Sequence, residues 1–484
     1  MAKVKDLLKV PLANLINKSV RSSTIRNISL KKLEQRVYKF YIKNSDNRPL
    51  KVQEDKFNMA RALFHSINRA IGDGRLSSEN SKALVETLVS NILSGGDTEA
   101  KKAFEKEFGY LPPYFLTISP TKSCNLKCVG CYANSEFTPE KLDFDIVDRI
   151  IQEKKELWGS HFTVISGGEP LLYKSKGKGI LDIASKHKDN YFLMYTNGTL
   201  INELMAKKLA KVSNITPAIS VEGFEEETDR RRGSGVYKKI LGAFAHLRKA
   251  GVPFGISITV TKDNADLIMS DKLFDFYFKE QGVIYAWIFH YMPIGRKFTL
   301  DIMPTPEQRV KLFRRVQEIV RDRRIFVADF WNSGAVADGC ISAGRVKGYL
   351  YIDWNGNVCP CVFAPYSSHN IVEVYRTGGN LNTILNSDFF RAIRKWQDDY
   401  AYKQPADKTG NLIRTCPIRD HYGMFHELLK LHNPFPIDKN ADIALKDEEY
   451  RKGLIAYGEK IEELTKDIWE KECLQSGGLS TYFG

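Results

Sequence analysis

The stretch Cys124-Asn-Leu-Lys-Cys128-Val-Gly-Cys131 places three cysteines within eight positions, directly after a predicted strand at 114–119. The 484-residue chain has eight cysteines, none of them in its first 123 residues. Disulfide frameworks are typical of small secreted domains, whereas clustered cysteines in a large chain favour a metal or an iron–sulfur cluster. Three thiolates in one loop can hold three irons of a cubic cluster and leave the fourth open. A structural zinc site, the alternative, usually takes four ligands.

Short apolar strands alternate with amphipathic helices beyond residue 113, which is typical of β-α units. The predicted strands are 114–119, 162–166, 191–196, 215–221, 254–261 and 284–290, with helices near 143–158, 201–212, 236–250 and 305–322. Six units without a detectable seventh or eighth predict an α/β fold, a partial (β/α)6 TIM-like barrel. Right-handed crossovers bring the carboxyl ends of all strands to one rim, where such folds keep their chemistry.

Short polar and glycine-containing motifs follow the next three predicted strands, as the cysteine loop follows the first. They are Ser166-Gly-Gly-Glu-Pro170, Tyr195-Thr-Asn-Gly-Thr199, Ser220-Val-Glu-Gly223 and the nearby Asp229-Arg-Arg-Arg-Gly233. Together with the cysteine triad, in this order, they resemble the radical S-adenosylmethionine (SAM) superfamily. One departure is Gly130, at a position that is often aromatic in that superfamily; here Tyr132 follows the last cysteine instead.

The resemblance implies a [4Fe-4S] cluster held by Cys124, Cys128 and Cys131, with SAM on the open iron. By the same match, the backbone of Gly167 and Gly168 and the Glu169 side chain would hold the methionine amino group. The implied partner of the SAM carboxylate is Arg232, since a planar guanidinium suits a carboxylate fork. Asn197 and Ser220 are the other implied cofactor contacts. The alternative for Arg232 is a solvated position in a charged loop.

A second cysteine group lies further along the chain. Cys340 precedes a predicted hairpin of 349–353 and 357–362 that turns at Asn355-Gly356, and the hairpin carries Cys359 and Cys361 before Cys416 follows. This group resembles the SPASM/twitch auxiliary domain and implies one auxiliary [4Fe-4S] cluster, with structural zinc as the alternative. Alternation along a strand would place Cys359 and Cys361 on one face, about 7 Å apart. Four ligands would close the cluster and favour electron transfer, whereas three would let it bind substrate.

Four segments are expected from these patterns. They are a basic helical N-terminal extension over 1–110, the radical SAM partial barrel over 111–325, a small iron–sulfur domain over 326–430 and a helical tail over 431–484. A charged helix near 446–472 is predicted in the tail. Cys473, on that helix, is expected to be a plain thiol.

Charge is concentrated at the start of the chain. Residues 1–50 hold twelve Lys and Arg against three acids, within a net charge of +14. Residues 1–20 combine apolar residues at helical spacing with lysines on the other face, so residues 1–22 are predicted to contact a membrane surface. A helix packed over the barrel mouth is the alternative. The rest is only mildly basic, so no nucleic-acid partner is expected. Without an apolar run of ~20 residues, a cytoplasmic protein, peripheral at a membrane, is predicted.

The resemblance implies that SAM is cleaved reductively to methionine and a 5′-deoxyadenosyl radical, which abstracts hydrogen from an unactivated carbon. Ferredoxin or flavodoxin would supply the electron. His290 and Tyr291, at the sixth strand end, are the candidate catalytic residues. The other substrate-side candidates are Arg296, Asp329, Trp331, Asn332, Asp420 and His421. Each could instead be a hydrogen-bonded core residue.

Two substrate classes remain open. The basic amphipathic start favours a lipid or membrane-associated substrate, and peptide or protein modification is the alternative within the family. A non-catalytic iron–sulfur electron carrier or sensor is a different class. A carrier needs cysteines but neither Glu169 nor Arg232, which argues against it.

Overall fold

The computed structural model describes residues 22–43, 48–87 and 98–475. The segment 1–21, on which the membrane and packing interpretations depend, lies outside these residues. Across the described ranges, no helix is both long and apolar enough to cross a membrane.

A ten-stranded sheet, in the order β13-β11-β10-β1-β2-β5-β6-β7-β8-β9, forms the centre of the molecule. The strands are β1 (Phe115–Ile118), β2 (Phe162–Ile165), β3 (Lys174–Ser175), β4 (Lys178–Gly179), β5 (Tyr191–Thr196), β6 (Ile215–Val221), β7 (Gly255–Val260), β8 (Tyr285–His290), β9 (Phe326–Asp329), β10 (Tyr349–Ile352), β11 (Asn357–Cys359), β12 (Tyr366–Ser367), β13 (His369–Asn370) and β14 (Phe435–Pro436). The six predicted barrel strands are all present, and each pairs in parallel with the next. Their carboxyl ends therefore share one rim.

Helices cover the outside of the sheet. They are α1 (Ser23–Tyr38), α2 (Leu50–Gly72), α3 (Ser78–Thr87), α4 (Thr98–Phe108), α5 (Phe144–Trp158), α6 (Ile180–Lys186), α7 (Glu203–Val212), α8 (Glu225–Arg232), α9 (Val236–Ala250), α10 (Ala265–Ile268), α11 (Asp271–Phe274), α12 (Pro306–Glu318), α13 (Ile371–Arg376), α14 (Leu381–Leu385), α15 (Asp388–Gln397), α16 (Tyr422–His432), α17 (Lys439–Lys446) and α18 (Glu448–Asp467). Helix α5 illustrates why these segments form helices that pack on the sheet. Its apolar residues Val147, Ile150 and Ile151 recur at helical spacing and are buried. Its end is set by Gly159, whose φ of 57° suits a left-handed cap.

A seventh parallel strand, β9, pairs with β8 and places Ile288 opposite Asp329. No seventh unit was detectable in the sequence, and the structure adds one strand to the predicted partial barrel. The strand is only four residues long and ends in a buried aspartate, so it lacks the apolar run that identifies a strand in sequence. As a consequence, Asp329, Trp331 and Asn332 belong to the end of a barrel strand.

The cysteine-rich hairpin extends the same sheet. Strand β10 pairs in parallel with β1 from Phe115 opposite Tyr349 to Ile118 opposite Ile352, and β11 returns antiparallel to β10. Strands β9 and β10 lie beyond the predicted boundary at 325/326, yet both hydrogen-bond to barrel strands. The auxiliary cysteines are thereby held against the barrel.

The tail covers the loop that follows β8. Asn440 of α17 donates to the backbone oxygen of Gly295 at 2.6 Å, and the Tyr450 hydroxyl of α18 donates to that of Pro293 at 3.1 Å. The predicted terminal helix is present as α18 and continues into a π-helical turn, Ile468–Leu474, where Cys473 is buried. These contacts fix the loop that in turn holds the first cysteine group.

Candidate active site and cysteine centres

The cysteine loop after β1 is held by Arg296. Its Nη1 donates to the backbone oxygen of Cys128 at 2.7 Å, its own N–H donates to that of Cys131 at 3.0 Å, and Nη2 donates to that of Ser135. Gly295 has φ 71°, and a Cβ there would lie 2.2 Å from the Tyr132 oxygen. Arg296 was predicted to face the substrate. The structure corrects this placement, because the guanidinium of Arg296 donates its hydrogen bonds to backbone oxygens of the cysteine loop.

The Gly-Gly-Glu loop after β2 lies against the chain that leads into Cys124. A Cβ on Gly168 would stand 2.2 Å from the Ser123 oxygen, so only glycine allows this approach. Glu169 is buried, and its carboxylate accepts from the Thr196 hydroxyl and from the Asn197 N–H, both at 2.8 Å. Burial raises the pKa of Glu169, against these hydrogen bonds. The carboxylate thus ties the ends of β2 and β5 together.

Two predicted cofactor residues reach the cysteine sulfurs. Asn197 Nδ2 lies 3.8 Å from Cys124 Sγ, and Arg232 Nη1 lies 4.0 Å from Cys128 Sγ. The Arg232 Nε donates to Glu222 Oε1 at 2.8 Å, and Glu222 is only 1% exposed. Arg232 is therefore not on a solvated face: it is held beside the cysteines by a buried carboxylate. Ser220, on β6, is only partly buried.

Arg231 and Glu222 were not assigned a role from the sequence. Arg231 Nε donates to the Val129 oxygen at 3.1 Å, Nη1 donates to Glu222 Oε1 at 2.5 Å, and the backbone N–H of Val129 donates to the Arg231 oxygen at 2.9 Å. Helix α8 is thus fastened to the cysteine loop at several points. The run of arginines after an S-x-E-G motif is the signal that could have identified both residues.

The donor set fits a cubic cluster at this loop. Burial raises the pKa of the Cys124 thiol to about 12, so a thiolate here needs positive compensation, which cluster iron supplies. Within the described ranges, no three His, Cys, Asp or Glu side chains converge as ligands of a single ion. A cubane is compatible with that arrangement, since it takes one thiolate on each of three irons.

The second cysteine group lies at a cavity. Cys340, Cys361 and Cys416 line it together with Trp331 and other residues, but Cys359 does not. Strand β11 ends at Cys359, so strand alternation does not extend to Cys361. Cys359 instead lies opposite Tyr351 in the hairpin. Cys340, Cys361 and Cys416 thus share one cavity, whereas the predicted placement of Cys359 beside Cys361 stays a prediction.

Buried donors surround this cavity. The Tyr349 hydroxyl lies 2.9 Å from Cys361 Sγ. The indole N–H of Trp331 is buried and makes no hydrogen bond of full geometry among the described residues, although it is close enough to the Cys416 thiol to act on it. Burial raises the pKa of the Cys416 thiol to about 12, and nearby Arg419 and the Trp331 N–H oppose the rise. Unmatched buried donors are costly, so the cavity suits an anionic occupant rich in acceptors, such as the sulfides and thiolates of a cluster.

His290 and Tyr291 are both buried. Arg419 Nη1 donates to His290 Nδ1 at 3.1 Å, which leaves Nε2 to carry the proton and donate to Asp329 Oδ2 at 3.0 Å. The Tyr291 hydroxyl donates to the Lys297 oxygen, and its ring lies where a Cβ on Gly130 would be, 2.5 Å away. Both side chains are thus hydrogen-bonded within the core, as the alternative interpretation expects, and their catalytic role stays a prediction.

Most of the remaining substrate-side candidates are also hydrogen-bonded to other residues of the chain. Asp420 accepts two bonds from buried Arg309, at 2.5 and 3.0 Å, and Asn332 accepts from the same guanidinium at 3.1 Å. His421 Nε2 contacts the Arg414 oxygen at 3.0 Å. Trp331, in contrast, lines the auxiliary cavity.

Aromatic side chains connect the two cysteine groups. Tyr132 contacts Phe363 with ring centroids 5.9 Å apart, and Phe363 contacts Trp331 at 4.9 Å. Phe289 adjoins Phe363 at 6.0 Å and Phe330 at 5.4 Å, and both Phe289 and Phe330 keep some exposed surface. We call these five residues, Tyr132, Phe289, Phe330, Trp331 and Phe363, the aromatic wall. The wall runs from beside Cys131 to the auxiliary cavity.

Comparison with known proteins agrees with this arrangement. The family model of the radical SAM superfamily matches residues 118–269, and that of the SPASM iron–sulfur cluster-binding domain matches 340–412. Mycofactocin maturase MftC of Mycolicibacterium smegmatis is 30% identical over 304 residues, which cover 60% of this chain and 75% of MftC. The AdoMet-dependent heme synthase of Methanosarcina barkeri is 27% identical over 290 residues, 54% of this chain and 80% of the synthase. SuiB of Streptococcus suis, solved with bound SAM, has a TM-score of 0.46 at 20% identity and covers 66% of this chain and 75% of its own.

The fold and site therefore define an iron–sulfur enzyme that uses SAM. The chain belongs to the radical SAM superfamily and carries a SPASM domain. The predictions of an enzyme, of a partial barrel, of a [4Fe-4S] cluster with SAM and of an auxiliary iron–sulfur centre are confirmed. The carrier alternative is set aside, because the relatives are maturases and synthases.

Proposed function

We propose that this enzyme cleaves SAM reductively at the Cys124–Cys128–Cys131 centre and abstracts hydrogen from an unactivated carbon of a substrate bound along the aromatic wall. The observation that carries the proposal is the approach of Arg232 Nη1 to within 4.0 Å of Cys128 Sγ. When bound, the cluster and SAM supply an electron and the 5′-deoxyadenosyl radical that removes the hydrogen atom. A ferredoxin or flavodoxin is the proposed electron donor.

The residues of the chain orient SAM and protect the reaction. Arg232 offers its free Nη1 edge to the SAM carboxylate while Glu222 fixes the opposite edge. Glu169 keeps the loops after β2 and β5 in register, so that Gly167, Gly168 and Asn197 present backbone and amide groups to the methionine end. The aromatic wall excludes water and offers few abstractable hydrogens besides those of the substrate.

The proposed substrate presents an apolar group to this wall. Phe289 and Phe330 retain exposed surface on the barrel strands β8 and immediately after β9, which supports an apolar contact. A lipid or membrane-associated molecule agrees with the basic start of the chain, where residues 1–22 would dock at a membrane surface. Maturation of a peptide is the second candidate, and the description of MftC as a maturase supports it.

The auxiliary centre is proposed to use Cys340, Cys361 and Cys416. With three thiolates, one iron of the auxiliary cluster keeps a free position for substrate or for a further protein ligand. Cys359 is kept as the alternative fourth ligand from the sequence, although its place on β11 does not support that role.

The proposal is tested by anaerobic incubation of the reconstituted enzyme with SAM and dithionite, with 5′-deoxyadenosine as the readout. Arg232→Met is expected to cut 5′-deoxyadenosine formation at low SAM at least tenfold. Its matched control is Arg230→Met, since Arg230 is on the same helix but exposed and paired with Glu226 at 3.7 Å. A fully loaded enzyme that forms no 5′-deoxyadenosine would contradict the proposal, as would an Arg232→Met variant that matches the wild type.

The two substrate classes are separated by a second experiment. The full chain and a variant lacking residues 1–22 are incubated with anionic and neutral liposomes and sedimented. Binding of the full chain to anionic liposomes alone, lost on truncation, supports the lipid class. Equal behaviour of both forms removes it and leaves peptide maturation.

A further inference from the structure

Arg345 is a buried cation without a carboxylate partner. It is 2% exposed, and its Nη2 donates to the Ala337 oxygen at 2.6 Å. Its Nε and Nη1 meet no acceptor, and it forms no ion pair within the described part of the chain. Asp338, the acid next to Ala337, is instead held by Lys56 at 2.7 Å and Arg48 at 3.0 Å.

Such a group needs compensation. A guanidinium does not lose its proton in proteins, and burying a charge unpaired is one of the most costly arrangements in a fold. Burial lowers the pKa of Arg345, and the nearby Tyr402 and Cys340 groups oppose that shift, followed by the more weakly acting Asp338 and Asp398. The Tyr402 ring lies 4.2 Å below the guanidinium carbon and offers only partial compensation.

The position of Arg345 indicates what compensates it. The guanidinium donates to the stretch just before Cys340, and its backbone N–H donates to the Ser342 oxygen at 3.3 Å. Gly339, Cys340 and Ser342 all line the auxiliary cavity, and Cys340 Sγ lies 3.2 Å from Ser342 Oγ. Arg345 is therefore directly behind the cavity wall that carries Cys340.

A second buried cation lies on the side of Cys416. Arg419 is fully buried and stacks on the ring of Trp331 at 4.8 Å, where Trp331 lines the cavity. Its Nη2 meets no acceptor among the described residues. Its Nε donates to Asp420 Oδ1 at 3.2 Å, but Asp420 is shared with Arg309, which donates to both carboxylate oxygens. One buried carboxylate therefore faces two buried guanidinium groups.

We propose that Arg345 and Arg419 are the counter-cations of the auxiliary cluster, bracket it from the Cys340 and Cys416 sides, and raise its reduction potential. The inference rests on the proposed ligands Cys340, Cys361 and Cys416. Reduction adds one electron from the reductant and hence one negative charge to the cluster, and a fixed buried cation stabilises the reduced form more than the oxidised form. Both arginines act through the field at the cluster and are positioning residues, not catalytic ones.

The test is a redox titration of the reconstituted full-length enzyme, followed by electron paramagnetic resonance. Arg345→Gln removes the charge and keeps donors, whereas Arg345→Lys keeps the charge. We expect the glutamine variant to make reduction of the auxiliary cluster at least tenfold less favourable, a shift of about 59 mV for one electron. The lysine variant should recover most of that shift, and Arg419→Gln should shift the potential in the same direction.

Two controls keep the measurement specific. Arg248→Gln changes a guanidinium that donates to Gln281 on the outside of the barrel, and it should shift neither cluster. The SAM-binding cluster in each sample is an internal reference and should keep its potential. An auxiliary cluster present at wild-type iron content with an unchanged potential in Arg345→Gln would overturn the inference.

Failure to assemble the cluster is also informative. If Arg345→Gln retains only the iron of the SAM-binding cluster and Arg345→Lys restores both clusters, the charge is needed to hold the auxiliary cluster, as inferred. Loss of the auxiliary cluster in both variants would show that Arg345 has a structural role and would overturn the inference. The two proposals can fail separately. If the wild-type enzyme forms no 5′-deoxyadenosine but Arg345→Gln still shifts the potential of the auxiliary cluster, the proposed function is contradicted and this inference is supported.

Discussion

Arg296 donates from Nη1 to the backbone oxygen of Cys128 at 2.7 Å, which ties the loop after β8 to the cysteine loop after β1. Because Asn440 of the tail donates to the preceding Gly295, the cysteine loop is also linked to the C-terminal helices. The loop that would hold the SAM-binding cluster is thus positioned by parts of the chain about 170 and 310 residues away.

Replacement of Arg296 should loosen this loop. Arg296→Ala removes several charge-assisted hydrogen bonds, each worth about 1.5–3 kcal/mol, so we expect the iron content of the SAM-binding cluster and the 5′-deoxyadenosine rate to fall severalfold. Iron and sulfide analysis after anaerobic reconstitution measures the effect. Arg314→Ala, which breaks an exposed pair with Glu472, is the control and should leave both unchanged. Full iron content in Arg296→Ala would contradict the positioning role.

Loss of the Glu222 charge should weaken SAM binding. In Glu222→Gln the neighbouring Arg231 and Arg232 repel each other without their shared carboxylate, so Arg232 leaves its place beside Cys128. We expect the Kd for SAM to rise about tenfold, or about 1.4 kcal/mol. Titration of SAM into the reduced enzyme, followed by the spectrum of the cluster, measures it. Glu226→Gln, exposed on the same helix, should bind SAM normally; equal affinity in both variants would refute the role of Glu222.

The auxiliary cysteines should separate into ligands and a bystander. Cys361→Ser is expected to lose the auxiliary cluster, because Cys361 lines the cavity with Cys340 and Cys416. Cys359→Ser should keep it, because Cys359 lies on β11 opposite Tyr351. Iron content and the reduced spectrum distinguish the two variants. Loss of the auxiliary signal in Cys359→Ser would restore the four-cysteine interpretation.

Stability should fall in mild acid, partly through His290. Burial lowers the pKa of His290 despite the adjacent Asp329, while Arg419 and Arg309 add to the lowering. The unfolded chain therefore takes up a proton below about pH 6.5 that the folded chain does not, which costs up to about 1.4 kcal/mol of unfolding free energy per pH unit. Urea unfolding at pH 7 and pH 5 should show a smaller difference for His290→Gln than for the wild type. His246→Gln, on the outer helix α9, should keep the wild-type difference, and an unchanged difference in His290→Gln would disprove this contribution.

Much of the site was predictable because short motifs at strand ends are local features. The Cys124–Cys131 triad, Glu169 and Asn197 each follow a strand within a few residues, and parallel strands bring such positions to one rim. The roles of His290, Tyr291 and Arg296 were not predictable in the same way. Each depends on partners 6 to 168 residues away, so its type and position do not reveal whether it faces a substrate or a backbone oxygen.

The sequence by itself determined the six parallel β-α units and the three-cysteine loop, because periodicity and spacing are properties of neighbouring residues. The motifs at the strand ends added the resemblance to a SAM-dependent family. Only the tertiary structure decided that the hairpin β10–β11 joins the barrel sheet, that Cys340, Cys361 and Cys416 share one cavity, and that Arg345 is buried without an ion pair among the described residues. These facts arise from long-range pairing and burial, and the energy of a buried charge depends on everything that surrounds it rather than on its place in the chain.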